Sequence, residues 1–188
     1  MPRLLFAIAA ALVAIGASTA RSADVLDGSA FHADGENYIS ELRLGVFAHD
    51  PTSREKDGLA DLNAEVLFVK PWGSKLDWWM PRPHIGATLD FVGKTSIIYA
   101  GATWQYEIFD TVLLEATFGG SVNDGRSKAT ESMSGLGCPV LFRESLSLGY
   151  RFSPNWSLIA TVEHNSNAGL CDGNRGLTNE GIRLGYRF

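Results

Sequence analysis

The stretch WSLIATVEHNSNAGL, residues 156–170, carries the reading on which the fold depends. Side chains alternate across an extended strand, so residues i and i+2 share a face. Trp156, Leu158, Ala160 and Val162 make one face apolar, while Ser157, Ile159, Thr161, Glu163 and Asn165 fall on the other. His164 and Ser166 continue the apolar row, although the polar row had room for them. The closing stretch LTNEGIRLGYRF, residues 177–188, repeats the pattern: Ile182, Leu184, Tyr186 and Phe188 share a face that Thr178 and Glu180 extend. An antiparallel hairpin with its loop centred near Asp172 would set His164 opposite Glu180 and Ser166 opposite Thr178. Directly opposed side chains have Cβ atoms roughly 5 Å apart. The expectation is a Ser166–His164–Glu180 constellation on an apolar outer surface.

The same alternation recurs upstream. Leu42, Leu44, Val46 and Ala48 share a face against Glu41, Arg43 and Gly45; Leu62, Ala64, Val66 and Phe68 share one against Asn63 and Glu65. Further rows run through Ile85 to Phe91, Ile98 to Tyr106, Val112 to Phe118 and Val140 to Phe152, with tight turns expected at Gly93-Lys94 and Asp110-Thr111. With the two closing stretches the strands number eight. Each has room for about 9–12 residues, the length a tilted strand needs to cross a bilayer. The expected fold is all-β, an eight-stranded antiparallel up-and-down transmembrane β-barrel over residues 37–188. Most of the longer polar connections (49–60, 123–137, 167–177) fall at one end. Barrels of this kind carry long loops outside and short periplasmic turns. That places His164 and Ser166 at the level of the outer leaflet, with Trp72, Trp78 and Trp79 suited to the opposite interfacial girdle.

The N-terminus supports export. Arg3 precedes an apolar run from Leu4 to Ala17, and Ser18-Thr19-Ala20 offers small residues for cleavage, so residues 1–20 are expected to be a signal peptide. Residues 21–36 show little periodicity and are expected to form an N-terminal arm. Cys138 and Cys171 both lie in the exported part and fall opposite each other if the preceding hairpin turns near residues 154–155, so a disulfide is expected. A net charge of −5 argues against a nucleic-acid partner. His32, His49 and His84 show no ligand spacing with His164, and no metal or cofactor is expected.

Serine is a poor nucleophile until a base takes its proton, and an imidazole oriented by a third group is suited to that work. The string HNSNAGL, the downstream Asn174-x-Gly176-Leu177, the terminal RLGYRF and the opening SELRLGVFAHD resemble the lipid A 3-O-deacylase family. The resemblance implies an outer-membrane barrel with a Ser-His-Glu triad on its outer wall, hydrolysing the ester at the 3-position of lipid A. It implies His164 as base, Ser166 as nucleophile and an oxyanion region at Asn167 with the following backbone around Ala168 and Gly169. The family's acidic position falls on Thr178, which is then the alternative third member to Glu180. The partner expected is lipopolysaccharide in the outer leaflet of the bacterial outer membrane, with homodimerisation left open. The competing expectation is a non-enzymatic small barrel with a structural or surface-binding role.

Overall fold

The computed structural model describes residues 32–33, 36–53, 57–71 and 79–188. The expected signal peptide, Trp72 and Trp78 lie outside them. Eight strands follow in order: β1 (Ile39–His49), β2 (Asp57–Phe68), β3 (Arg82–Asp90), β4 (Ile97–Ile108), β5 (Val112–Asn123), β6 (Val140–Arg151), β7 (Trp156–Ser166) and β8 (Leu177–Arg187). Each pairs antiparallel with its sequence neighbours, and β8 closes on β1 to make a barrel. Separately, His32–Ala33 pairs with Glu36–Asn37 in a two-residue ladder, the described part of the expected arm.

Alternation decides what faces where. Leu44, Leu146, Leu148, Leu158, Val162, Ile182 and Leu184 are exposed large apolar side chains on the outer wall. The alternate positions turn inward and are polar. Arg43 meets Glu41, Glu65 and Glu115 at 2.7, 3.3 and 2.6 Å, and Arg183 meets Glu65 at 2.8 Å. Arg143 binds Glu163 at 2.6 Å and lies 3.6 Å over the Tyr99 ring. An eight-stranded barrel is just wide enough for side chains to fill, and here ion pairs fill it. Buried charges persist when paired and hydrogen-bonded, so the lumen is a polar core with the apolar surface outside it, the inverse of a soluble domain.

One end of the barrel carries the connections 50–56, 91–96, 124–139 and 167–176; the other carries 69–81, 109–111 and 152–155. At the short end, Phe109 and Asp110 both adopt positive φ (54° and 59°), the conformation a tight hairpin turn requires. At the long-loop end, Ile97, Tyr99, Leu136, Leu141 and Leu177 form a buried apolar cluster. Cys138 and Cys171 are disulfide-bonded with Cα atoms 6.0 Å apart, tying the 124–139 loop to the 167–176 loop.

Candidate active site

The last turn of β7 and the first of β8 build the site at the long-loop end. Glu163 and Asn165 point into the lumen, fully buried; Asn165 accepts the Ser121 hydroxyl at 2.8 Å, and Glu163 accepts Asn179 Nδ2 at 3.1 Å. These inward bonds fix the rotation of β7, so His164 and Ser166 emerge half-buried on the outer wall.

The hairpin register differs from the sequence expectation by two residues. His164 pairs with Thr178, and Glu180 pairs with Val162. The difference arises in the loop, where Asn167 makes bonds that no strand pattern reveals. Its Nδ2 donates to the carbonyls of Leu136 (2.9 Å) and Gly173 (2.7 Å), and its Oδ1 accepts the Gly169 amide at 2.8 Å. This draws the connection into ten residues, 167–176, and centres the hairpin on residue 171. His164 Nδ1 consequently lies 2.8 Å from Thr178 Oγ1. Glu180 stands exposed two pairs further from the loop.

The opposite flank of His164 holds a residue that the sequence reading missed. Glu144 of β6 pairs directly with His164, and Phe142 pairs with Ser166. Glu144 is exposed and shares the outward face. The signal was available: Glu144 occupies the outward row of β6 amid Phe142, Leu146 and Leu148, a charge in an apolar series.

Gly176 completes the geometry. The next step of the β7–β8 ladder sets it beside Ser166, and its φ is +73°. A Cβ there would stand 2.6 Å from His164 Cε1 and 3.0 Å from Nε2. The imidazole thus occupies the space a side chain would fill, with its Cε1–Nε2 edge turned to Gly176. Only glycine combines that backbone conformation with that clearance.

Two of the expected oxyanion donors have partners within the loop. The Asn167 side chain is buried and its three bonds are structural; its main-chain amide donates to Asn174 Oδ1 at 3.1 Å. The Gly169 amide is occupied by Asn167 Oδ1. Parity gives the reason, since Asn167 continues the inward row of Glu163 and Asn165. Two donors in the same loop are placed differently. The Ala168 amide, in a residue with φ +52°, takes no partner among the described residues. Asn174 is exposed, and its Oδ1 accepts the amide of Asn167, the residue after Ser166, so its Nδ2 takes no part in that bond. Phe118 and Phe142 stack at 6.2 Å on the wall beside the serine, a flat apolar surface next to the reactive row.

Known proteins resemble the chain in sequence and in fold. The sequence profile described as lipid A 3-O-deacylase (PagL) matches residues 60–187. Among solved structures, that of the outer membrane enzyme PagL superposes with a TM-score of 0.57 at 16% identity, covering 79% of this chain and all of that one. The Yersinia pestis outer membrane protein Ail in a lipid nanodisc aligns with a TM-score of 0.49 at 15% identity over 81% of this chain and all of its own. No curated protein sequence matches.

Proposed function

We infer that His164 and Ser166 act as base and nucleophile of an ester hydrolase: the chain belongs to the lipid A 3-O-deacylase family, and its place is the bacterial outer membrane. The observation that carries the reading is the outward row on β7. The imidazole is held through Nδ1 by Thr178 and cleared by Gly176, beside an apolar aromatic wall.

With Nδ1–H donating to the Thr178 hydroxyl, Nε2 keeps its lone pair and takes the Ser166 proton as the hydroxyl attacks the ester carbonyl of the 3-linked acyl chain. The Ala168 amide and Asn174 Nδ2 receive the oxyanion. The imidazolium then protonates the departing sugar oxygen, and water releases the fatty acid by the same base. Glu144, directly across the sheet, supplies the negative charge that faces the imidazolium, in the role the family assigns to a glutamate at the position of Thr178. The acyl chain lies along Phe142 and Phe118. Substrate arrives laterally in the outer leaflet, since ion pairs occupy the lumen. A non-catalytic barrel is the competing reading, favoured by the hydroxyl at position 178.

Mass spectrometry of lipid A from cells expressing wild type or Ser166→Ala tests the assignment. Loss of one 3-linked acyl chain with wild type alone is the expected result. Unaltered lipid A in both, or equal deacylation in both, would overturn it.

A further inference from the structure

We propose that the lumen at the long-loop end binds a divalent transition-metal ion, with His49, Asp61 and Asp90 as its protein ligands. One ligand atom from each lies within 4.8 Å of the other two. They sit at the last residue of β1, near the start of β2 and at the last residue of β3, all on the inward face. Separated by 12 and 29 positions in the chain, they meet only through the sheet.

The cluster has the character of a ligand set. Asp61 and Asp90 are direct partners in the β2–β3 ladder. Like charges directly opposed across a sheet are destabilising, and buried charges are otherwise paired or coordinate a metal. The Asp61 side chain is fully buried. Each carboxylate is tethered by one oxygen only. Asp61 Oδ2 takes His49 Nδ1 at 2.8 Å, and Asp90 Oδ1 takes the Val92 amide at 3.0 Å. Among the described residues, the other oxygens, Asp61 Oδ1 and Asp90 Oδ2, are buried and have no hydrogen-bond partner. Two carboxylates facing each other beside an imidazole, with no donor between them among the described residues, suit a cation: their tethers orient them, and the remaining lone pairs bind.

The donor set selects the metal. One imidazole and two carboxylates, with water in the fourth position, match the mixed nitrogen and oxygen coordination of Zn²⁺. Bonds of about 2.0–2.2 Å place donors roughly 3.4 Å apart in a tetrahedron, so the present cluster closes on an ion by small side-chain rotations. The bound ion ties β1, β2 and β3 together where the charged 50–56 loop begins. Asp50, the next residue, accepts the Thr178 amide at 3.4 Å and donates its own amide to Asn179 at 3.2 Å. The metal site therefore abuts the seam that carries Thr178, though it is separate from the reactive pair.

The test uses the full-length protein folded in detergent micelles, stripped with a chelator and then exposed to Zn²⁺, with Ca²⁺ in a parallel arm. Metal content after desalting is measured by plasma mass spectrometry, and the unfolding temperature by heat-dependent gel migration. The expected result is one Zn²⁺ retained per chain and a raised unfolding temperature. The variant D61N/D90N, confirmed as folded by its gel migration, should retain less than a tenth as much and show no shift. Asp90→Asn alone serves if the double variant does not fold, and it should lose Zn²⁺ to the same degree. Wild type that retains no more Zn²⁺ than the variant, or that retains Ca²⁺ in its place, overturns the proposal. None of these readouts depends on deacylation, so the outcome is independent of the activity of Ser166.

Discussion

With His164 as the proposed base, replacing Thr178 by glutamate is expected to accelerate deacylation, contrary to the usual outcome of altering a residue in contact with such a base. Thr178 Oγ1 lies 2.8 Å from His164 Nδ1 and, with the proton on Nδ1, accepts from it as a neutral group. A neutral hydrogen bond contributes about 0.5–1.5 kcal/mol, and one to a charged group about 1.5–3. Exchanging the first for the second as imidazolium forms stabilises the transition state by about 1–1.5 kcal/mol, close to tenfold in rate. The ceiling is set by triads whose carboxylate has been removed, where the loss is about 10⁴. Thr178 is half-buried on the outer wall, so a longer side chain has room to fold its carboxylate back to Nδ1. The reciprocal variant, Thr178→Val, keeps the shape and deletes the acceptor. It strands the Nδ1 proton at a cost of about 1–3 kcal/mol, and the rate should fall at least fivefold. Release of 3-hydroxy fatty acid from lipid A in outer-membrane vesicles, followed by gas chromatography, measures both. If the two variants stay within twofold of wild type, Thr178 does not orient the base.

Three further outcomes follow from the same geometry. Gly176→Ala places a methyl 2.6 Å from His164 Cε1 on a backbone of φ +73°. It should cut deacylation more than tenfold while leaving the heat-dependent gel shift of the folded barrel intact. Asn167→Ala removes three hydrogen bonds of the 167–176 loop. Limited proteolysis should then cleave that loop or its disulfide partner faster, and activity should drop with it. Arg43→Leu leaves Glu41, Glu65 and Glu115 buried beside a lost cation; breaking such a group costs about 3–5 kcal/mol, readable as a lower urea midpoint in micelles.

Facing was legible in the sequence and depth was not, for a physical reason. A two-residue period fixes which wall a side chain joins, because a slip of one residue would turn the whole apolar row of β7 into the lumen. A slip of two residues preserves every facing, so parity is blind to it. The pairing of Thr178 rather than Glu180 with His164 was decided by Asn167, a side chain bonding to main-chain carbonyls of two loops. Parity did hold the clue that Asn167 turns inward, where its side chain bonds the loop carbonyls. The grouping of His49, Asp61 and Asp90 required knowledge of which strands neighbour each other and at what height.

The register also decides between two candidate counter-charges. Glu144 faces His164 directly across the β6–β7 ladder, whereas Glu180 is diagonal to it across β7–β8. Opposed Cβ atoms lie about 4.5–5.5 Å apart and diagonal ones about 7–8 Å. A carboxylate on the outer wall near the barrel rim costs little there, so either charge can persist. Attraction to imidazolium falls with distance and is screened further by headgroup water, so the nearer group dominates. Glu144→Gln should lower the deacylation rate about tenfold, and Glu180→Gln less than threefold. Adding Thr178→Glu to Glu144→Gln should restore most of the rate, because the charge then enters from the other flank of the same ring. The opposite ranking, with Glu180→Gln the more damaging and no rescue by Thr178→Glu, would mean that the working enzyme pairs β7 and β8 two residues away from the register described above. In that case the Thr178–His164 bond would belong to a resting arrangement, and the base would be oriented by Glu180.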